Sequence, residues 1–301
     1  MLQTFDERNR DLLVNIDGEL VHRDQARVSP FDSAVQGGDA VWEGLRVYDG
    51  RIFKLDEHLV RLRHSAQALA FTLIPSRDKL VHEIKRTLAA NGMRDGVHIR
   101  LTLTRGQKIT SGMDPRLNQS GPTLIVLAEW KTPVYDKSGL RLVTASVRRP
   151  GPDVMDPKIH HANLIPSILC KIEANAAGAD DALVLDRNGF VAETNATHVF
   201  IVTEDGLATS HTVACPEGIT RQTVLEICEE QHIPCVVRDI SQAEVYRAQE
   251  VFCTGTMGEL APVIEVDGRS IGTGDPGPLT RRLSEAYTAL TARSGVRVVD
   301  S

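Results

Sequence analysis

The chain lacks internal repeats and low-complexity tracts, and no apolar run approaches the ~20 residues that a bilayer-spanning helix needs. Its N-terminus, MLQTFDERNRDLLVNIDGEL, has no basic segment followed by an apolar core and a small-residue cleavage site, so no secretory signal is expected. Positive charge is not in excess: the formal net charge is −6, which gives no general attraction for nucleic acid. Cysteine is sparse and odd in number, with Cys170, Cys215, Cys228, Cys235 and Cys253 showing no CxxC spacing. Reduced, mostly buried thiols in a cytoplasm are the expectation. No third ligand stands at recognisable spacing from His160-His161, so no metal is expected. What is present is ordinary for a folded protein, with 42% hydrophobic and 25% charged residues among 301. That length suits one large domain or two of ordinary size.

The pattern along the chain is mixed. Leu59, Leu62, Ala66 and Leu69 recur at helical spacing in Leu55 to Phe71, with Asp56 placed to cap the start. A second helix is expected to open at Ser76 and to end at Asn91-Gly92. VHIRLTLTR then alternates as a strand, and TLIVLA gives another, ending near Ala128. The segment 129–139, with Pro133, Asp136, Ser138 and Gly139, has no periodicity and reads as an interdomain loop. Beyond it LRLVTASV, DALVLD, HVFIVT, IPCVVRD and EVFCTG are strand-like. Helices are expected at about Leu164 to Ala177, Thr220 to Gln231 and Pro278 to Ala292. The expectation is therefore two α/β (or mixed α+β) domains, 1–128 and 140–301, with a ligand site between them by default.

Four separated segments could carry chemistry. Lys158 in DPKIHHANL precedes a helix, and a partly desolvated lysine can condense with an aldehyde; a solvated surface lysine is the plainer role. Glu193 in VAETNATHVF could hold a pyridine nitrogen protonated, or be a solvated acid at a strand end. Gly218-Ile219-Thr220-Arg221 opens a helix whose free N–H groups and hydroxyl make a phosphate seat, with Thr220 as an N-cap the alternative. Thr254-Gly255-Thr256-Met257-Gly258 follows a strand, where glycines let N–H groups approach an anion or form a simple turn.

The order of these segments, together with VWEGLRVY at 41–48 and DEHLVRL at 56–62, resembles the fold-type IV pyridoxal-phosphate aminotransferases, the group of the branched-chain and D-amino acid aminotransferases. The likeness runs from about Leu13 to Leu290. It implies a two-domain fold, a small N-terminal domain and a larger C-terminal one with the cofactor at their interface, usually in a homodimer. It further implies pyridoxal 5'-phosphate held as a Schiff base on Lys158, which would also move the proton in catalysis. Glu193 would pair with the pyridine nitrogen, while Arg61, Ile219, Thr220 and Thr256 would hold the phosphate. Trp42, Arg46, His98 and Arg100 would stand on the substrate side, with Met257 and Gly258 offering backbone donors to the substrate carboxylate. The implied reaction is transamination between a branched-chain L-amino acid and 2-oxoglutarate. A D-amino acid or (R)-amine transaminase, or a lyase resembling aminodeoxychorismate lyase, are the alternatives. Partners would be small amino acids, amines and keto acids, with no nucleic acid and no membrane. The sequence departs from the family at His98, a position usually held by tyrosine, in TRGQKITSGMD, which lacks the Arg-x-His arrangement of bacterial D-amino acid aminotransferases, and after the lysine. Asn163-Leu164 stands where branched-chain enzymes have Asn-Tyr, one residue further from the lysine, so no tyrosine is supplied there for the cofactor ring oxygen.

Gly272-Thr-Gly274-Asp-Pro-Gly277 fits a dinucleotide fingerprint, but too few residues follow for the second strand and acidic partner that such a fold requires. It reads as a turn before the last helix.

Overall fold

The computed structural model describes residues 3–299, which form two compact units. One holds the chain up to Thr132, together with Ile159–Asn163 and the described residues from Thr291 on; the other holds Pro133–Lys158 and Leu164–Leu290. This division differs from a simple cut at 128 and 140. The reason lies in the strands, because the chain returns to the first sheet near its end.

In the N-terminal unit, chain order is β1 (Leu13–Ile16), β2 (Glu19–His22), α1 (Ser33–Gly37), β3 (Ala40–Tyr48), β4 (Arg51–Ile52), α2 (Leu55–Ala68), α3 (Arg77–Ala90), β5 (Val97–Thr104) and β6 (Leu124–Trp130). The C-terminal unit continues with β7 (Leu140–Thr144), α4 (Ile165–Ala176), β8 (Asp181–Leu185), β9 (Val191–Thr194), β10 (His198–Thr203), β11 (Gly206–Thr209), α5 (Ile219–Glu230), β12 (Cys235–Val237), α6 (Gln242–Tyr246), β13 (Glu250–Gly255), β14 (Glu259–Val266), β15 (Arg269–Ser270) and α7 (Pro278–Arg293). A last short strand, β16 (Val296–Arg297), rejoins the first sheet by pairing antiparallel with β4. The first sheet runs β16-β4-β3-β5-β6-β1-β2. The second runs β12-β11-β10-β13-β14-β7-β8-β9, with β15 on β14.

β3 and β5 show why the first sheet forms. Both alternate buried and partly exposed residues, the period-2 signature of a sheet covered on one face. Val41, Leu45, Val47, Val97, Ile99, Leu101 and Leu103 face a core closed by Leu55, Leu59 and Leu62 of α2 and Leu80, Ile84 and Leu88 of α3. The opposite face carries Trp42, Gly44 and Arg46 across from Thr102, Arg100 and His98.

Local details correct three expectations. Asp56 does not cap α2: Lys54 is the N-cap, at φ 52, and Asp56 sits in the first turn, paired with Arg77 at 2.6 Å. The helix stops at Ala68 rather than Phe71 because Ala70 turns left-handed (φ 55) and the Phe71 N–H reaches back to the Ala66 carbonyl. Ala70 thus takes the turn usually given to glycine. The segment from 129 on is not wholly loop, since Glu129 and Trp130 extend β6 opposite β5. Ser76 does cap α3, accepting from the Lys79 N–H at 3.3 Å.

In the second sheet, Val199, Ile201, Val251 and Cys253 face one core with Val245 of α6. On the other face Phe200 and Phe252 stack at 5.0 Å. Glu250 caps α7 by accepting from the Leu279 and Thr280 N–H groups and the Thr280 hydroxyl. Gly277 allows that approach, because a Cβ there would stand 2.0 Å from the carboxylate carbon.

Candidate active site

The C-terminal unit contains Lys158, Glu193, Ile219, Thr220, Thr256, Met257 and Gly258. Lys158 is its last residue before the chain enters the other unit. The Lys158 side chain is exposed, and its backbone N–H is held by the Asp156 carboxylate at 3.0 Å. Glu193 lies on β9, where every residue is buried. It is therefore not a solvated acid at a strand end. Burial pushes its carboxyl up to about 7 against the opposing pull of Arg149, whose Nε stands 2.8 Å from Oε1. The Arg149 guanidinium also donates to the Thr194 and Asn195 carbonyls, at 3.1 and 2.7 Å. Sequence reasoning missed Arg149. The only available signal was a charged residue directly after a strand, too common to single out.

Cys215 belongs to the same unit. This buried thiol is pushed up by desolvation, and it feels the charges of Glu193, Arg221, Arg149 and Lys158.

The start of α5 has the form of an anion seat. Its N-cap is Gly218, which places Thr220 at the second helical position instead of at the cap. Gly218 is required there, since a Cβ would meet the His198 ring at 2.3 Å. His198 is in turn fixed to the Pro216 carbonyl at 2.7 Å and faces Thr254 across β10 and β13. The first N–H groups of a helix have no partner within it and carry the positive end of its dipole. Around this turn, buried hydroxyls are left without partners: Ser210 Oγ and Thr254 Oγ1. Arg221, which donates to the Ser210 carbonyl at 2.8 Å, leaves Nε unpaired and buried. Such orphans are costly in a dry interior, and they are groups of the kind that a phosphate satisfies. The residues fit the group that the sequence implied.

Thr256-Met257-Gly258 is the three-residue link between β13 and β14, closed by the pair Gly255 and Glu259. The Met257 carbonyl accepts from the Val134 N–H, and the Tyr135 ring lies where Gly258 would carry a Cβ. Tyr135 is itself hydrogen-bonded to Asp181.

The N-terminal unit gathers Trp42, Arg46, Arg61, His98 and Arg100. Arg61 does not stand ready as a simple phosphate clamp. Its Nε and Nη2 are bound to Glu43 at 2.8 and 2.7 Å, and Glu43 also bonds His58 at 2.6 Å. Glu43 points into the helix-facing side of β3 and is fully buried. Burial alone would push its carboxyl up, but Arg61, His160 and His58 outweigh that and hold it well below the usual range. His58 and Arg61, one turn apart on α2, thus explain the acid in the VWEGLRVY segment.

On the other face of the sheet, Arg100 lies 4.0 Å over the Trp42 ring and Arg46 lies 5.4 Å over Tyr48, cation–π contacts that orient both guanidinium groups. His98 sits opposite Arg46 with both ring nitrogens buried and unpartnered. Burial, then Lys131, Arg100 and Arg46, lowers its pKa to about 3, so it is neutral near pH 7. The residues just after Lys158 dock on this sheet. Ala162 and Trp42 make backbone bonds with Ala40 and His160, and the Trp42 indole donates to the His161 carbonyl at 3.0 Å. Asn163 donates to the Gly38 carbonyl at 2.9 Å, and Leu164 is the N-cap of α4.

Residues 40–266 match the family described as amino-transferase class IV. The chain belongs to the class IV aminotransferases. It is 55% identical over 291 residues to branched-chain-amino-acid aminotransferase-like protein 2 of Arabidopsis thaliana, covering 96% of this chain but 52% of that one. It therefore spans about half the length of that relative. The branched-chain-amino-acid aminotransferase of Pseudomonas aeruginosa is 33% identical, with 94% of each chain covered. Among solved structures, the branched-chain aminotransferase of the thermophilic archaeon Thermoproteus uzoniensis with norvaline superposes with a TM-score of 0.87. It shares 29% identity, covering 93% of this chain and 95% of that one. A branched-chain amino acid aminotransferase complexed with N-(5'-phosphopyridoxyl)-L-glutamate also superposes with a TM-score of 0.87, at 34% identity over 94% of each chain. The mixed α/β fold of this chain is that of these neighbours.

Proposed function

We propose that the protein is a pyridoxal-phosphate-dependent transaminase that moves an amino group between a branched-chain L-amino acid and 2-oxoglutarate. The observation that carries the reading is the buried Glu193–Arg149 pair in the same compact unit as Lys158 and the α5 anion seat. When bound, pyridoxal phosphate supplies an aldehyde for the amine and a ring that draws electrons from the substrate Cα. Glu193 keeps the ring nitrogen protonated, and Arg149 fixes the direction of that carboxylate. Ile219 and Thr220 would hold the phosphate through backbone N–H groups, with Thr256 and Arg61 as further donors. Lys158 would hold the cofactor through its side-chain amine, and that amine would move the proton at the substrate Cα. Met257 and Gly258 orient the substrate carboxylate, while Trp42, His98, Arg46 and Arg100 receive its side chain.

Leucine and glutamate must share that last region. Trp42 and the neutral His98 offer it an apolar surface, and Arg100 offers a charge. An oligomer is part of the same reading. Ile165, Ile168, Leu169 and Ile172 make an exposed apolar stripe on α4, suited to a second copy in a homodimer. Five free thiols match a cytoplasmic location. A panel of L-amino acids, D-amino acids and (R)-amines, scored by cofactor absorbance in single half-reactions, tests the proposal. L-leucine, L-valine, L-isoleucine and L-glutamate should react fastest. Preference for D-amino acids or (R)-amines, or pyruvate release without a keto acid acceptor, would replace it.

A further inference from the structure

Lys158 carries its exposed side chain on a flexible four-carbon stem, so the place its amine can reach is set by the backbone beneath it. The segment that follows, Ile159–Asn163, belongs to the N-terminal unit and is tied there residue by residue. The His160 N–H donates to the Ser65 hydroxyl at 2.9 Å. The Trp42 N–H donates to the His160 carbonyl at 3.1 Å, and the Ala162 N–H to the Ala40 carbonyl at 2.8 Å. Val41 and His161 form an antiparallel bridge, and the Trp42 indole donates to the His161 carbonyl at 3.0 Å. Ile159 packs against the core under β3.

His160 is the centre of this docking. Its Nδ1 is bonded to the Trp42 carbonyl. A carbonyl can only accept, so in the neutral ring the proton sits on Nδ1. The ring stands 4.6 Å from the Trp42 ring at 34°. Backbone and ring of one residue thus grip backbone and ring of the other. Ser65, buried on α2, holds the same residue from the helix side. Glu43 Oε1, which accepts from Arg61, lies 3.8 Å from His160 Nδ1. Burial, then the Arg61 charge, lowers the His160 pKa to about 4, so the ring is neutral near pH 7.

We propose that His160 is a positioning residue for Lys158: clamped between Trp42 and Ser65, it fixes the backbone from which the lysine amine acts. The inference rests on the transaminase reading, which gives Lys158 the covalent and proton-moving work. A reacting group displaced by about 1 Å can cost about 10²-fold in rate, and a lysine whose following residues come loose is displaced at its root. Trp42 extends the clamp, because its ring also carries the Arg100 guanidinium at 4.0 Å. The residue that holds the lysine segment is therefore in contact with the residue expected to meet the substrate side chain.

The test compares His160→Ala, His160→Asn and Ser65→Ala with wild type, each reconstituted with pyridoxal phosphate. His160→Ala should slow the half-reactions with L-leucine and L-glutamate alike, by about 10²-fold, with cofactor affinity within severalfold of wild type. The pH midpoint of the visible cofactor band should move, and borohydride should still label Lys158. In the cofactor-free protein the Trp42 and Ala162 amides should exchange hydrogen faster. His160→Asn places an amide N–H where Nδ1 stands and should restore most of the rate. Ser65→Ala removes only the acceptor for the His160 N–H; it should shift rate and band the same way, less far, and it serves where His160→Ala fails to fold. Wild-type rates and an unmoved band in His160→Ala or Ser65→Ala, with the label on Lys158, would overturn this inference and leave the transaminase reading standing. A wild-type label on another lysine would overturn both.

Discussion

Arg149 Nε and Glu193 Oε1 are 2.8 Å apart, with both side chains at or below a tenth exposed. The pair gives Glu193 a fixed direction and a partner inside a dry site, so the carboxylate can meet a ring nitrogen without reorganising. Removing one member of a buried ion pair costs about 3–5 kcal/mol because the other is stranded. Arg149→Met should therefore slow transamination by about 10²-fold or more while leaving pyridoxal phosphate bound within severalfold. Half-reaction rates and cofactor titration measured together check this. Loss of cofactor with unchanged turnover of the loaded fraction would assign Arg149 to anchoring instead.

The same pair makes a pH prediction. Burial raises the Glu193 carboxyl from 4.5 to about 7 in the folded chain, so the folded state binds the extra proton across that window. Its stability therefore falls as pH rises from 4.5 towards 7. Glu193→Gln removes that slope. The melting temperature of the cofactor-free variant, minus that of wild type, should grow more positive (or less negative) over pH 4.5–7. A difference that stays flat would mean that Glu193 is already ionised throughout.

Glu43 and Arg61 make the usual anchor-deletion test ambiguous. Arg61→Met strands a fully buried carboxylate, so the protein should lose about 3–5 kcal/mol of stability as well as phosphate affinity. Glu43→Leu combined with Arg61→Met should recover most of the stability and none of the phosphate affinity. Denaturant melts and cofactor titrations on both variants separate the two. Recovery of cofactor affinity in the double variant would show that Arg61 serves only the fold.

Much of the fold could be read from apolar period alone. β5 was legible because Val97, Ile99, Leu101 and Leu103 alternate without interruption, and α3 because Ser76 and Asn91 mark both ends. β14 was not, since Pro262 interrupts its pattern even though the proline pairs with Phe252 inside the sheet. The end of α2 was set by Ala70 in a left-handed turn, which no composition rule points to. The site residues were legible as motifs in order, but their partners were not. Glu43 reads as a polar break in a strand, and Arg149 as a surface charge; only the packing of α2 and the burial of β9 turn them into ion pairs.

Arg100 should divide the two substrates. It lies 4.0 Å over Trp42 and burial lowers its pKa, which marks a desolvated cation able to pair with a distal carboxylate. Losing such a partner costs about 2–5 kcal/mol. Arg100→Ala should slow the half-reaction with L-glutamate by about 30-fold or more and that with L-leucine by only a few fold. Equal losses would assign Arg100 to the shared α-carboxylate or to the sheet.

Lys158 as the covalent anchor is the central assignment, and one measurement addresses it directly. The purified protein is reconstituted with pyridoxal phosphate, reduced with borohydride, digested and mapped by mass spectrometry. A single pyridoxyl group on Lys158, absent from Lys158→Ala, is the predicted result. A label on another lysine, or an equal label in Lys158→Ala, would contradict the account.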